Sequence, residues 1–468
     1  MKYSIFIVYF FICFFSSAKA QTGQNVRGKV VDKISQLPLP GANIVLADTG
    51  KNYGTSADAN GNFRIEKINV GRRTLKVSCI GYKEVVVPII VHSAKEVVLT
   101  IEMEESVILT GEVTISADSE KDAPLNKMTS VSARMFTVEE TVRYAGSMND
   151  PARMAKNFAG VMGSDETRNE IIIRGNSPTG LLWRMDDVDI PNPNHFSSQG
   201  TTGGPISMLN NNTLNNSDFL SAAFPAEYGN ALSGVFDLKM KTGNNEKHEF
   251  TGQLSINGLE FGAEGPLTSS NQSSYLIHYR YADFTIVDKI VNLGISGVPK
   301  FQDISFKLLF PFVKGNISLF GLAGSSDLAL LDKDADSTDL SFSDSRKNTY
   351  FGSDMATCGV SATWFMKHQA ISKFIVSGFF ERIRNNVDTL DFNDTPFSVY
   401  NDFSTDKRLY LKYLYSKKIN PRLSLKTGAG INKMMFDLNS KVYIESLNEH
   451  KDILNEKINF SNGPLLST

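Results

Sequence analysis

The chain has 468 residues and a formal net charge of -2, with 48 Lys and Arg against 50 Asp and Glu. That near balance excludes the strongly basic footprint of a nucleic-acid-binding protein. Three cysteines over this length are too few and too scattered for a disulfide scaffold. Aromatic residues are plentiful, with 31 Phe and 15 Tyr. A transmembrane β-barrel reads this way, because lipid-facing residues alternate with polar lumen-facing ones and the average looks soluble.

At the N-terminus, Lys2 precedes an apolar run from Ile5 to Phe15 and then Ala18, Lys19 and Ala20. Residues 1–20 therefore read as a secretory signal peptide cut after Ala20. Cys13 is not read as a lipoprotein cysteine, since Ile12 stands where a small residue is wanted. No later segment offers the roughly 20 consecutive apolar residues of a transmembrane helix. Any membrane passage must then be made by strands.

Residues 21–103 alternate short β-rich runs with turns: "VRGKVVD", "PLPGANIVLAD", "GTSADANGNFRIEKI", "GRRTLKVSCIGY", "KEVVVPIIV" and "KEVVLTIEM". Turn signals about every ten residues predict a small β-sandwich, with Asn60 and Gly61 expected in a hairpin turn. Through "PLPGANI", "GTSADANGNF", "GRRTLKVSCIGY" and "VVLTIEM" the module resembles the carboxypeptidase regulatory-like domain, which implies an Ig- or transthyretin-like sandwich. A peptidase site is not implied. Zinc carboxypeptidases need a His-x-x-Glu pair and a distant His, whereas His92 is followed by Glu96 and reads as a loop or strand-edge histidine.

Residues 104–122 are a polar linker with a β-prone island, Val113 to Ile115. Such an island can add to a partner's exposed sheet edge. Residues 123–245 mix helix and strand signals. Thr137 with Glu140 makes a capping box. Asp150 and Pro151 start a second helix, expected to stop near Gly160. The segments "FAGV", "NEIIIRGNSP", "LLWRMDDVDIPNPNHF", "GPISMLNNNTL" and "AFPAEYGNALSGVFDLKMKTG" resemble the plug domain of TonB-dependent outer-membrane receptors. The family usually has a glycine after the first aspartate, where this chain has Asp187.

That resemblance implies that "IIIRG" and "LLWRMDDVDIP" are neighbouring strands, with Arg174, Arg184, Asp186 and Asp187 as a charged network between protein surfaces. A catalytic acid/base pair is not expected, because adjacent aspartates on opposite faces of a strand share no pocket. The turn-rich run after Pro191 is expected to present His195, Phe196 and Gln199 outward as a candidate ligand-facing loop. The resemblance also makes Glu112, Val113, Thr114, Ile115, Ser116 and Ala117 the TonB box.

Residues 246–468 read as the N-terminal part of an outer-membrane β-barrel. Ile277, Tyr279 and Tyr281 alternate with His278 and Arg280; Ile304, Phe306, Leu308 and Phe310 alternate with Ser305 and Lys307; Leu409, Leu411, Tyr413 and Tyr415 lie opposite Lys412. Short turns at "TSSNQ", "FVKGN", "KHQA" and "INPR" take turns with long polar loops near 285–300, 325–354 and 385–406. The aspartates of Asp332 to Asp339 lack the Gly and Glu of a calcium loop and read as a solvated loop. About nine strands are counted, fewer than the 22 or so of plugged transporters. The barrel is thus expected to be incomplete, its remaining strands lost or supplied by another chain.

The resulting expectation is a mainly β chain: N-terminal Ig/transthyretin-like sandwich, α+β plug, and incomplete antiparallel transmembrane barrel. It is no enzyme, with no catalytic, metal or cofactor site. The implied function is a TonB-dependent receptor for energy-coupled uptake of a scarce solute, located in the outer membrane with its N-terminal domain periplasmic. Its implied partners are TonB and the inner-membrane motor complex, outer-membrane lipids, an extracellular solute and a surface lipoprotein, with no nucleic acid. The alternative is an outer-membrane binding or assembly protein without energy coupling. A secreted enzyme would need a nucleophile or metal constellation that the sequence does not offer.

Overall fold

A computed structural model describes residues 22–47, 53–106, 124–126, 128–129, 131–165, 167–255, 258–268, 272–284, 299–331, 346–391 and 393–467. The expected signal peptide, the TonB box and the Asp332–Asp339 loop lie outside these residues. The chain divides into two compact units, one built on the residues before Asp122 and the other on nearly all of those after it.

The first unit holds seven strands: β1 (Gly23–Asp32), β2 (Asn43–Leu46), β3 (Gly54–Ser56), β4 (Asn62–Asn69), β5 (Gly71–Ser78), β6 (Val85–Val91) and β7 (Val97–Met103). They form two sheets, β4-β1-β7 and β3-β2-β5-β6. The pair β1 and β7 runs parallel, and every other pair in this unit is antiparallel. Strand alternation points one side chain in two inward, so Leu75 and Val77 are fully buried while Lys76 between them is exposed. With Val26, Val30, Ile44, Phe63, Ile65 and Ile101 they make one apolar core.

The expected hairpin at Asn60 and Gly61 is a different turn. It joins β3 to β4, which lie in different sheets. Asp58 Oδ1 accepts from the Asn60 and Asn62 amides at 2.8 Å each. Gly61 has φ +77, and a Cβ there would sit 2.6 Å from the Val30 carbonyl oxygen. The turn therefore closes the sandwich rather than a strand pair.

The second unit begins with the plug. Its helices are α1 (Val138–Arg143) and α2 (Pro151–Ala155). Both halves of the Thr137–Glu140 capping box are present, and Asp150 caps α2 by accepting from the Ala152 amide, with Pro151 in the first turn. α2 stops at Ala155, well short of Gly160, because residues 156–160 turn into the next strand. The plug strands are β8 (Ala133–Phe136), β9 (Val161–Gly163), β10 (Ile171–Ile173), β11 (Leu181–Met185), β12 (Val188–Ile190), β13 (Asn194–His195), β14 (Ile206–Ser207), β15 (Ser217–Leu220) and β16 (Gly234–Leu238). The central sheet is β12-β11-β16-β15-β8. Trp183 stacks on Phe236 with centroids 4.4 Å apart, and Phe219 and Phe136 pack on the same ring. Contrary to expectation, "IIIRG" is not a neighbour of "LLWRM", since β10 pairs with β9 in a sheet of its own.

The wall is a ten-stranded antiparallel meander: β17 (Glu249–Ser255), β18 (Gly258–Pro266), β19 (Ser274–Asp283), β20 (Lys300–Phe312), β21 (Gly315–Leu330), β22 (Lys347–Met366), β23 (Ala370–Leu390), β24 (Pro396–Asn420), β25 (Leu423–Ile444) and β26 (Glu449–Ser467). The strands pair in chain order, and among the described residues β17 and β26 are the two edges. The expected count of nine is corrected to ten among the described residues. The loop expected at 385–406 also shrinks, because β23 runs to Leu390 and β24 starts at Pro396. These β-branched and aromatic runs keep pairing well beyond the 9–11 residues or so that cross a bilayer.

The wall inverts the usual burial rule. In β20, Asp303, Ser305 and Lys307 are buried, whereas Ile304, Phe306 and Phe310 are not. In β19, His278 and Arg280 are buried while Ile277, Tyr279 and Tyr281 are exposed. Polar residues thus face the plug and apolar ones face outward, as the alternation predicted.

The sandwich has its own core, so residues 22–106 alone are expected to unfold cooperatively. Leu75→Ala should lower that stability by about 2–5 kcal/mol. Thermal melting followed by circular dichroism checks both; a broad, non-cooperative trace would show that the sandwich cannot stand alone.

Candidate functional site: the interface of plug and wall

Asp186 and Asp187 are not on a strand. They form the two-residue turn joining β11 to β12, with φ of +47 and +71. Two left-handed positions in succession make a tight hairpin, where Asn and Gly are the usual residues. A left-handed φ costs a non-glycine residue on the order of 1–3 kcal/mol.

Ion pairs offset that strain. Asp187 meets Lys239 Nζ at 3.1 Å and Lys373 Nζ of β23 at 2.5 Å. Asp186 meets Lys307 Nζ of β20 at 2.7 Å, and Lys307 also donates to the Met240 carbonyl at 3.0 Å. Burial alone would raise the Asp187 pKa, but Lys239 and Lys373 more than reverse this and hold it well below 3.8. Asp187 is therefore held as a carboxylate against Lys239 and Lys373, and Asp186 holds Lys307.

Arg184 lies one strand position before Met185 and is buried. It donates to Asp189 at 2.7 Å and to the Glu227 carbonyl at 3.0 Å, and its guanidinium sits 4.6 Å from the centre of the Tyr228 ring. Tyr228 donates to Asp237 at 2.8 Å, and Lys239 pairs with Asp237 at 3.0 Å. Glu227 pairs with Lys426 of β25 at 2.6 Å. Arg174 stands apart from this group. It is exposed at φ +52 and donates to Ser132 at 2.9 Å.

The run after Pro191 differs from its expected outward presentation. His195 is 0% and Phe196 6% exposed, and of the three named residues only Gln199 is exposed. His195 Nε2 lies 2.9 Å from Asp303 of β20, which also accepts from Arg280 at 2.8 Å. The His195 ring packs on Phe301 at 4.6 Å. The Phe196 amide donates to Ser326 of β21 at 3.1 Å, and Ser197 to Glu381 of β23 at 2.8 Å. Burial turns these residues inward because the wall supplies partners that a solvated loop would lack.

The run from Asn192 to Gly203 is held by a buried amide ladder. Asn169 donates to Asp150 and to Asn194 at 2.6 Å each, and Asn194 donates to Asn192 at 2.7 Å. Asn192 donates to the Gly203 carbonyl at 3.0 Å, and the Trp183 indole to the Thr202 carbonyl at 2.8 Å. Sequence reasoning missed this ladder and the lysine partners. Lys307 and Lys412, on the polar side of the strand alternation, were its one visible signal. Among the described residues no group of three or more His, Cys, Asp or Glu is arranged to hold a metal ion.

The architecture is a sandwich joined to a plugged β-wall. Residues 26–115 match the family model of the CarboxypepD_reg-like domain. Among curated proteins none matches the chain. In structure the chain is similar to the pyoverdine outer membrane receptor FpvA from Pseudomonas aeruginosa PAO1, at 13% identity over 70% of this chain and 50% of that one, with a TM-score of 0.49. It is similar to the outer membrane transporter YddB from Escherichia coli, at 12% identity over 70% and 53%, with a TM-score of 0.45. It is also similar to the copper transporter OprC, at 10% identity over 71% and 59%, with a TM-score of 0.48. The chain spans between half and three fifths of the length of these proteins.

His195 gives the site a pH dependence. Burial holds its pKa below the ordinary 6.5, with Asp303 countering only part of the effect. A depressed pKa means the folded state favours neutral imidazole, so this stabilisation is present above 6.5 and is lost as the pH falls through the folded value. Going from about pH 7.5 to about 5.5 should destabilise the wild type more than His195→Gln, which keeps a donor for Asp303. Thermal melts of both at the two pH values check this; equal losses would remove His195 from the explanation.

Proposed function

We propose that this chain is an outer-membrane receptor that takes up a scarce solute, with a TonB-type partner delivering energy through Glu112 to Ala117. The observation that carries this reading is the inside-out wall, apolar outward and polar inward, with a separate α+β plug ion-paired to its polar side. A strand wall of this polarity suits lipid outside and a filled lumen inside. A plug fastened by charges rather than by a continuous apolar core can be moved at the cost of re-solvating those charges.

In this reading the signal peptide exports the chain and the sandwich lies in the periplasm, tethered by residues 104–122. The charged group around Arg184, Asp186 and Asp187 holds the plug in register with the wall. Gln199, at the exposed tip of its loop, is the first of the named loop residues to meet solute. Outer-membrane lipids cover the apolar side of the wall, and a surface lipoprotein is a candidate partner. The role is binding and passage rather than covalent chemistry. The competing reading is a binding or assembly protein that needs no energy coupling.

Val113→Pro separates the two. Proline removes a backbone N–H and fixes φ, so a strand that must pair with a partner's sheet edge loses a ladder bond. Uptake in cells producing the receptor should fall to background while equilibrium binding of the same labelled solute stays unchanged, with Val113→Ala close to wild type in both. Accumulation by the proline variant at the wild-type rate would favour the uncoupled reading.

A further inference from the structure

A cavity of about 130 Å³ lies between the plug and strands β23, β24 and β25. Its plug side carries the Asp187–Asp189 segment, Arg184 and the loop around Glu227; its wall side carries Ser377, Lys412 and Asn432. At roughly 10–15 Å³ per water-sized position, it has room for on the order of ten such groups. Glycine keeps it open: a Cβ at Gly229 would meet nothing within 4 Å, and one at Gly430 would come no closer than 3.5 Å to any neighbour.

Most of the charges around it are already satisfied. Asp189 is paired with Arg184, Asp187 with Lys239 and Lys373, Asp237 with Lys239, and Glu227 with Lys426. Lys412 is the cation of this group without an ion-pair partner among the described residues. Among the described residues its ammonium makes one long hydrogen bond, 3.3 Å to the Asp187 carbonyl, and no ion pair. On the same wall side, Ser377 and Asn432 are each 4% exposed, and Ser377 Oγ and Asn432 Oδ1 have no hydrogen-bond partner among the described residues. Buried polar groups in folded proteins are almost always satisfied. An ammonium with spare donors, a hydroxyl and an amide therefore line one cavity.

We propose that this cavity is a binding site for a small organic monoanion, a carboxylate of a few heavy atoms. The one ammonium without an ion pair matches one negative charge. The hydroxyl and the amide, whose oxygen and nitrogen exchange places by a flip, give directional bonds to two carboxylate oxygens or to a neighbouring hydroxyl. The binding claim stands on this geometry. Only its meaning, a stop on the solute's route past the plug, rests on the transport reading above.

The test is calorimetric titration of the full chain in detergent with sodium L-lactate and sodium acetate. Sodium chloride at equal ionic strength and glycerol serve as probes for charge alone and for hydroxyls alone. Saturable heat with lactate or acetate, at least tenfold weaker in Lys412→Met and several-fold weaker in Ser377→Val and in Asn432→Leu, is the expected result. If Lys412→Met does not fold, the Ser377 and Asn432 variants decide. Overturning results are no saturable binding of either acid, chloride or glycerol binding as tightly as lactate, or variants that bind like wild type. The titration needs neither a membrane nor an energy source, so a failure of uptake in the Val113 experiment leaves it intact, and its own failure leaves the receptor reading intact.

Discussion

A strand wall that turns apolar side chains outward must turn its polar ones inward, and each charge placed there needs a counter-charge or water. This constraint organises the second unit. Lys307 is answered by Asp186, Lys373 by Asp187, Lys426 by Glu227, and Asp303 by Arg280, with His195 as a hydrogen-bond partner. The plug is therefore the electrostatic complement of the wall as well as a folded domain inside it. For the deepest of these pairs, Arg280 with Asp303, removing one partner typically costs about 3–5 kcal/mol, because the other charge stays buried.

The same constraint explains the departure at Asp187. Glycine would sit at φ +71 without strain, but it would leave the Lys373 ammonium facing an empty corner. The chain accepts a strained backbone in exchange for a carboxylate at the place where two lysines converge. Asp186, at φ +47, does the same toward β20. A two-residue turn that looks like a local feature is thus fixed by distant strands.

This also marks what the sequence made legible. Patterns closed within a few residues were readable: the Thr137–Glu140 box, the Asp150 cap before Pro151, and the alternation that put Ile304 and Phe306 opposite Ser305 and Lys307. Pairings across the chain were not. Asp187 finds its lysines 52 and 186 residues away, and His195 its aspartate 108 residues away. Composition argued that the run from Asn192 to Gly204 was an outward-facing loop, since Asn, Ser, Thr and Gly favour turns. The same side chains are also good at satisfying one another when enclosed, and composition cannot tell these cases apart. Helix α2 was overestimated for a related reason: Gly160 looked like a stop, yet the chain had already turned toward β9.

The amide ladder of Asp150, Asn169, Asn194 and Asn192 bears on how the molecule breathes. It ties the Asn169 amide to the Gly204 carbonyl and is accompanied by the bond from the Met208 amide to the Pro193 carbonyl. Amide protons held this way exchange with solvent only when the surrounding core opens. The segment whose composition promises the fastest deuterium uptake thus belongs kinetically with Trp183 and Phe236. Only its tip, at Gln199 and Gly200, is exposed. A slow-exchanging frame carrying a fast-exchanging tip divides a single loop into a held part and a solvent-exposed part.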